Sequence, residues 1–168
     1  MPKTKWTPPK RFRKFVDTAA QLVKTRLRMQ EYEVTVWYHT KLKDKRYADG
    51  VSADVEVDTR YLEVEINISK KVYDDYYKQG DRRYIVGLLC HEMVHALTNP
   101  YYDYCWELMP RGQDAKAKKV REGLQTINEQ QTERIARIVM QNIRPNEYED
   151  IKKEYSSTYL PDRTVYTN

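Results

Sequence analysis

The sequence predicts an α+β domain with a first helix, a small antiparallel or mixed sheet, a buried apolar helix and a second helix following it. Three observations carry this. The first thirty residues repeat apolar positions at helical spacing, residues 33–68 alternate as strands do, and the apolar run from Ile85 to Leu97 is too long for a strand. The resulting order is helix, sheet, apolar helix, loop, second helix, tail.

The first helix follows Pro8-Pro9 and is expected over residues 10–29, with Phe12, Phe15, Val16, Ala19, Leu22, Val23 and Leu27 on its core side. Residues 33–40 alternate as a first strand, and residues 41–50 read as a polar, basic connection. Residues 51–57 and 61–68 then form a hairpin around Asp58-Thr59-Arg60. In its second arm Leu62, Val64, Ile66 and Ile68 face one way, and Tyr61, Glu63, Glu65 and Asn67 the other, as in a half-buried strand. A short helix over residues 70–78 and a break at Gly80-Asp81 lead into the apolar helix, which is expected to stop at Thr98-Asn99-Pro100. Residues 99–113 are expected as a loop dense in aromatics: Tyr101, Tyr102, Tyr104 and Trp106. The last helix covers residues 126–139, where Leu124, Ile127, Ile135 and Ile138 read as core and Thr132, Ala136 and Met140 as a small, semi-polar face.

Composition sets outer limits. A chain of 168 residues suits one domain, assigned to residues 1–145, with a tail over residues 146–168 that either packs on it or stays disordered. Charged residues make up 33 % of the chain and the net charge is +5, so a soluble protein of modest basicity is expected. No segment is long and apolar enough to span a membrane, and the start Met1-Pro2-Lys3-Thr4-Lys5-Trp6 lacks the apolar core of a signal peptide. With two cysteines, the expectation is a cytoplasmic protein with reduced thiols.

Inside the apolar helix stands His91-Glu92-Met93-Val94-His95, an HExxH pattern that uses two of the chain's three histidines. On a helix, residues four apart share a face, so both imidazoles can reach one metal ion. Glu92, next to the first histidine, is placed to take a proton from a water held there. The plainer alternative is a packed helix that carries the pattern by coincidence. A catalytic zinc takes three protein ligands and keeps one position open, so a third ligand is needed. His39 reads as a strand residue and Cys90 as a core thiol, whereas Cys105 sits in the predicted loop. Glu129 and Glu133 fit better, because they share a face of the last helix and would repel each other there without a cation. Their alternative role is a solvated charged face with Arg134 and Arg137.

His91-Glu92-xx-His95 followed by Asn128-Glu129-xxx-Glu133 resembles the gluzincin branch of the zincin metallopeptidases. Short metallopeptidases of phages and bacteria are similar in size and layout. The resemblance implies a minimal zincin-like fold and one Zn2+ per chain held by His91, His95 and Glu129. Glu133 would orient a zinc-binding histidine, and Glu92 would be the general base in peptide-bond hydrolysis. The commonest family residue at the Glu133 position is Asp, so an exchange of roles between the two glutamates stays open. The resemblance also implies that an edge strand bordering the cleft pairs with an extended peptide or protein substrate. Residues 61–68 are the expected edge, with Tyr61, Glu63 and Glu65 facing outward, although exposed acids on an edge also guard against aggregation. In the loop after the zinc helix, Tyr101, Tyr102 or Tyr104 could donate a hydrogen bond to a developing oxyanion or simply pack.

The rival function comes from charge. Lys10, Arg11, Arg13, Lys14, Lys24, Arg26 and Arg28 give the first helix a positive excess, and a zinc-stabilised, non-catalytic module could use it to bind nucleic acid or protein. A solvated face of an amphipathic helix accounts for the same charges. A purely structural zinc site is closed by four protein ligands and has no use for Glu92, which favours the enzyme.

Overall fold

Phe12, Phe15, Val16, Ala19, Ala20 and Val23 recur at helical spacing, and helix α1 (Lys10–Arg26) buries all six. The computed structural model describes residues 5–44, 47–58, 60–109, 115–144 and 146–147. α1 ends slightly before the expected residue 29, because Arg28 takes a left-handed φ of 55° and lets the Met29 N–H donate to the Lys24 carbonyl at 3.0 Å. This six-to-one bond caps the helix and turns Met29 into the core. Lys10, Arg11, Arg13, Lys14, Arg26 and Arg28 lie on its exposed side, and Arg26 pairs with Glu147.

Five strands follow among the described residues. They are β1 (Glu33–His39), β2 (Leu42–Asp44), β3 (Tyr47–Val51), β4 (Ala53–Asp58) and β5 (Glu63–Ser69). The main sheet has the order β1-β5-β4, with β5 parallel to β1 and antiparallel to β4. The β4–β5 hairpin agrees with the alternation in the sequence; Thr59, in its turn, lies outside the described residues. Two expectations are corrected here. Residues 41–50 are not a plain connection but a second, two-stranded antiparallel sheet, β2–β3, anchored by the fully buried Leu42. And the segment carrying Tyr61, Glu63 and Glu65 is not an edge: β5 is the central strand, while Tyr61 stands in the turn before it with Arg60 over its ring. The reason is the parallel β1–β5 pairing, a long-range contact that strand alternation cannot announce.

Val64, Ile66 and Ile68 of β5 are wholly buried toward α1 and the later helices. Full burial of such side chains is worth roughly 1.5–3 kcal/mol each. On the opposite face Glu63 and Glu65 are exposed, but Asn67 is buried, held between His39 Nε2 at 2.8 Å and Glu56 Oε1 at 3.3 Å. A short α2 (Lys70–Val72) runs into a π-helical turn over Tyr73–Tyr77. Gly80, at φ 84°, then reverses the chain, and the Asp81 carboxylate accepts from the Tyr84 N–H at 3.0 Å to start α3.

Helix α3 (Arg82–Glu107) is 26 residues long and passes straight through the expected stop at Pro100. Proline removes one helix hydrogen bond, a cost of about 3 kcal/mol in a helix interior. The segment nevertheless stays helical beside α4 (Ala115–Gln141), with which α3 forms an antiparallel pair. Residues 99–109 are therefore helix and its final turn rather than loop, and residues 110–114 lie outside the described set. Close approach of the two helices uses small residues. Gly87 lies across from Met140, and the Cys90 Sγ is 3.8 Å from the Ala136 carbonyl oxygen. The α4 face that packs is the one with Ala117, Thr132 and Ala136, whereas Ile127, Ile135 and Ile138, expected in the core, are exposed. No helix among the described residues is long and apolar enough to cross a membrane. The tail beyond Glu147, with Tyr148, Tyr155, Tyr159 and Tyr166, lies outside the described residues.

Candidate metal centre

The midpoint of α3 carries His91 and His95, four residues apart on the face turned to α4. Their rings meet nearly edge-on, and the two Nε2 atoms are 3.1 Å apart. From α4, Glu129 brings one carboxylate oxygen to 3.6 Å from His91 Nε2 and 3.4 Å from His95 Nε2. Three donor atoms thus form a triangle with sides of 3.1, 3.4 and 3.6 Å. Ligands at ordinary zinc distances of about 2.0–2.1 Å in tetrahedral array stand about 3.3 Å apart. The triangle fits such an ion, with two imidazoles and one carboxylate as its donor set and α4 leaving Glu129 half exposed.

Electrostatics within the cluster are strong. The two histidines beside it hold the Glu129 carboxyl well below the usual carboxylate range, even though partial burial opposes this. The same contact raises His91 above the ordinary imidazole value against the effect of burial. Glu133 lies one turn on, its Oε2 3.6 Å from His91 Nδ1 and its Oε1 3.1 Å from Arg137. The structure thus sets Glu129 at the convergent Nε2 atoms and Glu133 at the outer nitrogen of His91, and only Glu133 shares the ion pair with Arg137 that a solvated face would show.

Glu92 is buried beside this group, about 100° around α3 from His91. Burial pushes its carboxyl up from the ordinary value, while the nearby His91 and His95 pull it down and Asp54 on β4 adds to the rise. Asp54 was not among the residues singled out from sequence. The alternation Ala53-Asp54-Val55-Glu56-Val57 marks it only as polar-facing, and nothing in that pattern points to Glu92.

The other sulfur and nitrogen candidates are elsewhere. His39 is buried against Asn67, Cys105 is exposed near the end of α3, and neither joins the cluster of possible metal ligands found among the described residues. Cys90 is a core thiol, its pKa pushed up to about 12 by burial. The tyrosines proposed as oxyanion donors are corrected too. Tyr101 and Tyr104 are exposed and turned away from the histidine face by the helical repeat. Tyr102, packed beside Trp106, shares that face seven residues past His95, about 10 Å along the axis between the two Cα positions. Because α3 does not stop at Pro100, these rings are not folded back over the site.

Sequence reasoning also missed what holds His95. Its Nδ1 is 3.3 Å from the hydroxyl of Thr132, which is fully buried on α4. A threonine on the packed face of a helix, one turn beyond a candidate ligand, is the only signal the sequence offered. Neither a family model, nor a curated protein, nor a solved structure matches this chain.

Proposed function

We propose that the protein is a zinc-dependent metallopeptidase of the zincin type, with His91, His95 and Glu129 as the metal ligands and Glu92 as the general base. The observation that carries this reading is the triangle of His91 Nε2, His95 Nε2 and Glu129 Oε2 at 3.1–3.6 Å, with a buried carboxyl next to it. A structural zinc site would close on four protein ligands, and the cluster found among the described residues offers three. Zinc bound there would supply Lewis acidity, polarising a peptide carbonyl and making water nucleophilic near neutral pH.

The chain's own groups do the rest. Glu92 accepts the proton of the attacking water and later returns it to the leaving amine nitrogen, so one carboxyl serves both halves of the hydrolysis. Glu133 faces the outer nitrogen of His91 at 3.6 Å, where the carboxylate partner of a metal-binding histidine would stand. The strand at the edge of the sheet that packs on α3 is β4, and an extended peptide adding there would lie along the site. This moves the substrate strand from Tyr61, Glu63 and Glu65 to Ala53–Asp58.

The test is metal content and turnover of three proteins. Wild type should hold about one zinc per chain, and His91→Ala should lose it, because the ligand set is then incomplete. Glu92→Gln should keep the metal and the fold but lose hydrolysis of any peptide that the wild type cleaves. A wild-type protein that neither carries zinc nor takes it up would remove the reading, and so would unchanged turnover in Glu92→Gln.

A further inference from the structure

We infer that Thr132 is the positioning residue for His95, holding its imidazole in the tautomer whose Nε2 lone pair points at the metal position, through a relay that ends on the backbone of α3. The inference rests on the proposed metal site and is drawn from the hydroxyl and imidazole contacts of Thr98, Thr132 and His95 and from their burial.

The relay can be read from its far end. Thr98 Oγ1 lies 3.2 Å from the Val94 carbonyl oxygen and 3.3 Å from that of His95. Carbonyl oxygens only accept, so the single Thr98 hydroxyl proton is committed to them. The lone pairs of Thr98 Oγ1 are then what faces Thr132 Oγ1, 3.5 Å away. With the Thr132 proton assigned to Thr98, a Thr132 lone pair is left turned to His95 Nδ1 at 3.3 Å. An acceptor at that point requires Nδ1 to carry the hydrogen. His95 is left with an unprotonated Nε2, and this atom stands 3.1 Å from His91 Nε2 and 3.4 Å from the Glu129 oxygen.

Burial makes the arrangement binding. Thr132 is wholly inaccessible and His95 is 8 % exposed, so water cannot substitute for either partner. A buried hydroxyl or ring N–H left without a partner pays its desolvation with nothing in return, which is enough to select one tautomer over the other. The two histidines are thus oriented by unlike means. His91 Nδ1 faces the half-exposed Glu133 carboxylate, whereas His95 Nδ1 faces a neutral, buried hydroxyl. Because threonine carries no charge, Thr132 fixes geometry without adding to the negative charge already brought by Glu129, Glu133 and Glu92.

Thr132→Val keeps the shape of the side chain and deletes the hydroxyl; Thr132→Ser keeps the hydroxyl. In metal-free protein, the imidazole nitrogen resonances of His95 should report the Nδ1–H tautomer in wild type and Thr132→Ser, and a mixture or the Nε2–H form in Thr132→Val. In competition with a chromogenic chelator, Thr132→Val should bind zinc about 10- to 100-fold more weakly than wild type, and Thr132→Ser should restore the wild-type value. Should Thr132→Val fail to fold, Thr98→Val breaks the relay one step earlier and should shift the same resonances and weaken zinc in the same direction. If the Nδ1–H form persists without the hydroxyl, or if the tautomer moves and zinc affinity does not, the inference is overturned. A wild-type protein that shows the Nδ1–H tautomer but binds no zinc would instead overturn the metal reading.

Discussion

The two halves of the α3–α4 pair are built from the same two helices, yet they end in opposite environments. In the near half, Ile85, Val86, Leu89, Cys90, Met93, Val94 and Ala96 of α3 are buried, and α4 meets them with Thr132 and Ala136. In the far half, Tyr101, Tyr104 and Trp106 of α3 and Leu108 just beyond its end are exposed, as are Val120 and Ile127 of α4. Apolar content does not separate the halves; a third layer does. α1, β4 and β5 pack on α3, and among the described residues no buried hydrophobic side chain of α3 lies beyond Ala96. The candidate site sits at the boundary, where the sheet side is closed over Glu92 and the α4 side leaves Glu129 and Glu133 half open. A metal centre that must be dry around its base and open to a substrate needs such a boundary.

The largest expected effect tests the covered half. Met93 lies within the HExxH pattern but points into the core, fully buried. Met93→Ala should cost about 2–5 kcal/mol of unfolding free energy, because it leaves a cavity under the sheet that the neighbours fill only in part. Urea denaturation monitored by circular dichroism measures this. A loss below about 1 kcal/mol would show that the near half is not the stabilising layer assigned to it.

Next in size is a contrast at the boundary itself. Glu129→Ala removes the proposed ligand and should abolish stoichiometric zinc binding, while Glu133→Ala removes a partner of His91 and should weaken zinc by about 10- to 100-fold. Chelator competition on the two variants ranks them. The reverse order would exchange their roles; if neither variant changes zinc affinity, α4 does not contribute to the metal centre at all.

How much of this could be read from the chain follows the range of the interactions. The helical repeat of Phe12 to Val23 and the alternation from Leu62 to Ile68 announce α1 and β5, because both reflect one buried face. The spacing of His91, His95, Glu129 and Glu133 also singles out the side chains that the structure brings together, since each pair sits one turn apart on its own helix. What the chain hid is relational. The parallel partner of β5 lies some thirty residues earlier, so its central place could not be inferred from its own pattern. Pro100 looked like a stop because a proline's local cost is legible and the packing that offsets it is not. Thr132 gave no sign of its partner, because the contact to His95 spans 37 residues. The isoleucines of α4 misled for the opposite reason: hydrophobicity predicts burial only where another layer is present to provide it.

The smallest expected effect tests that last statement. Ile127 is 55 % exposed on the outer side of α4, away from the Ala117, Thr132 and Ala136 face. Truncating it to alanine gives up little buried area, and alanine's higher helix propensity, worth a few tenths of a kcal/mol, works the other way. Ile127→Ala should therefore leave stability within about 0.5 kcal/mol of wild type, against several for Met93→Ala. Urea denaturation at two protein concentrations tenfold apart makes the measurement decisive. A loss above about 1 kcal/mol at both concentrations would mean that the chain itself covers this stripe, and a loss that grows with concentration would mean that a second copy does, because only association makes stability depend on concentration. Either result would erase the distinction between the halves, since the far half would then have its third layer too.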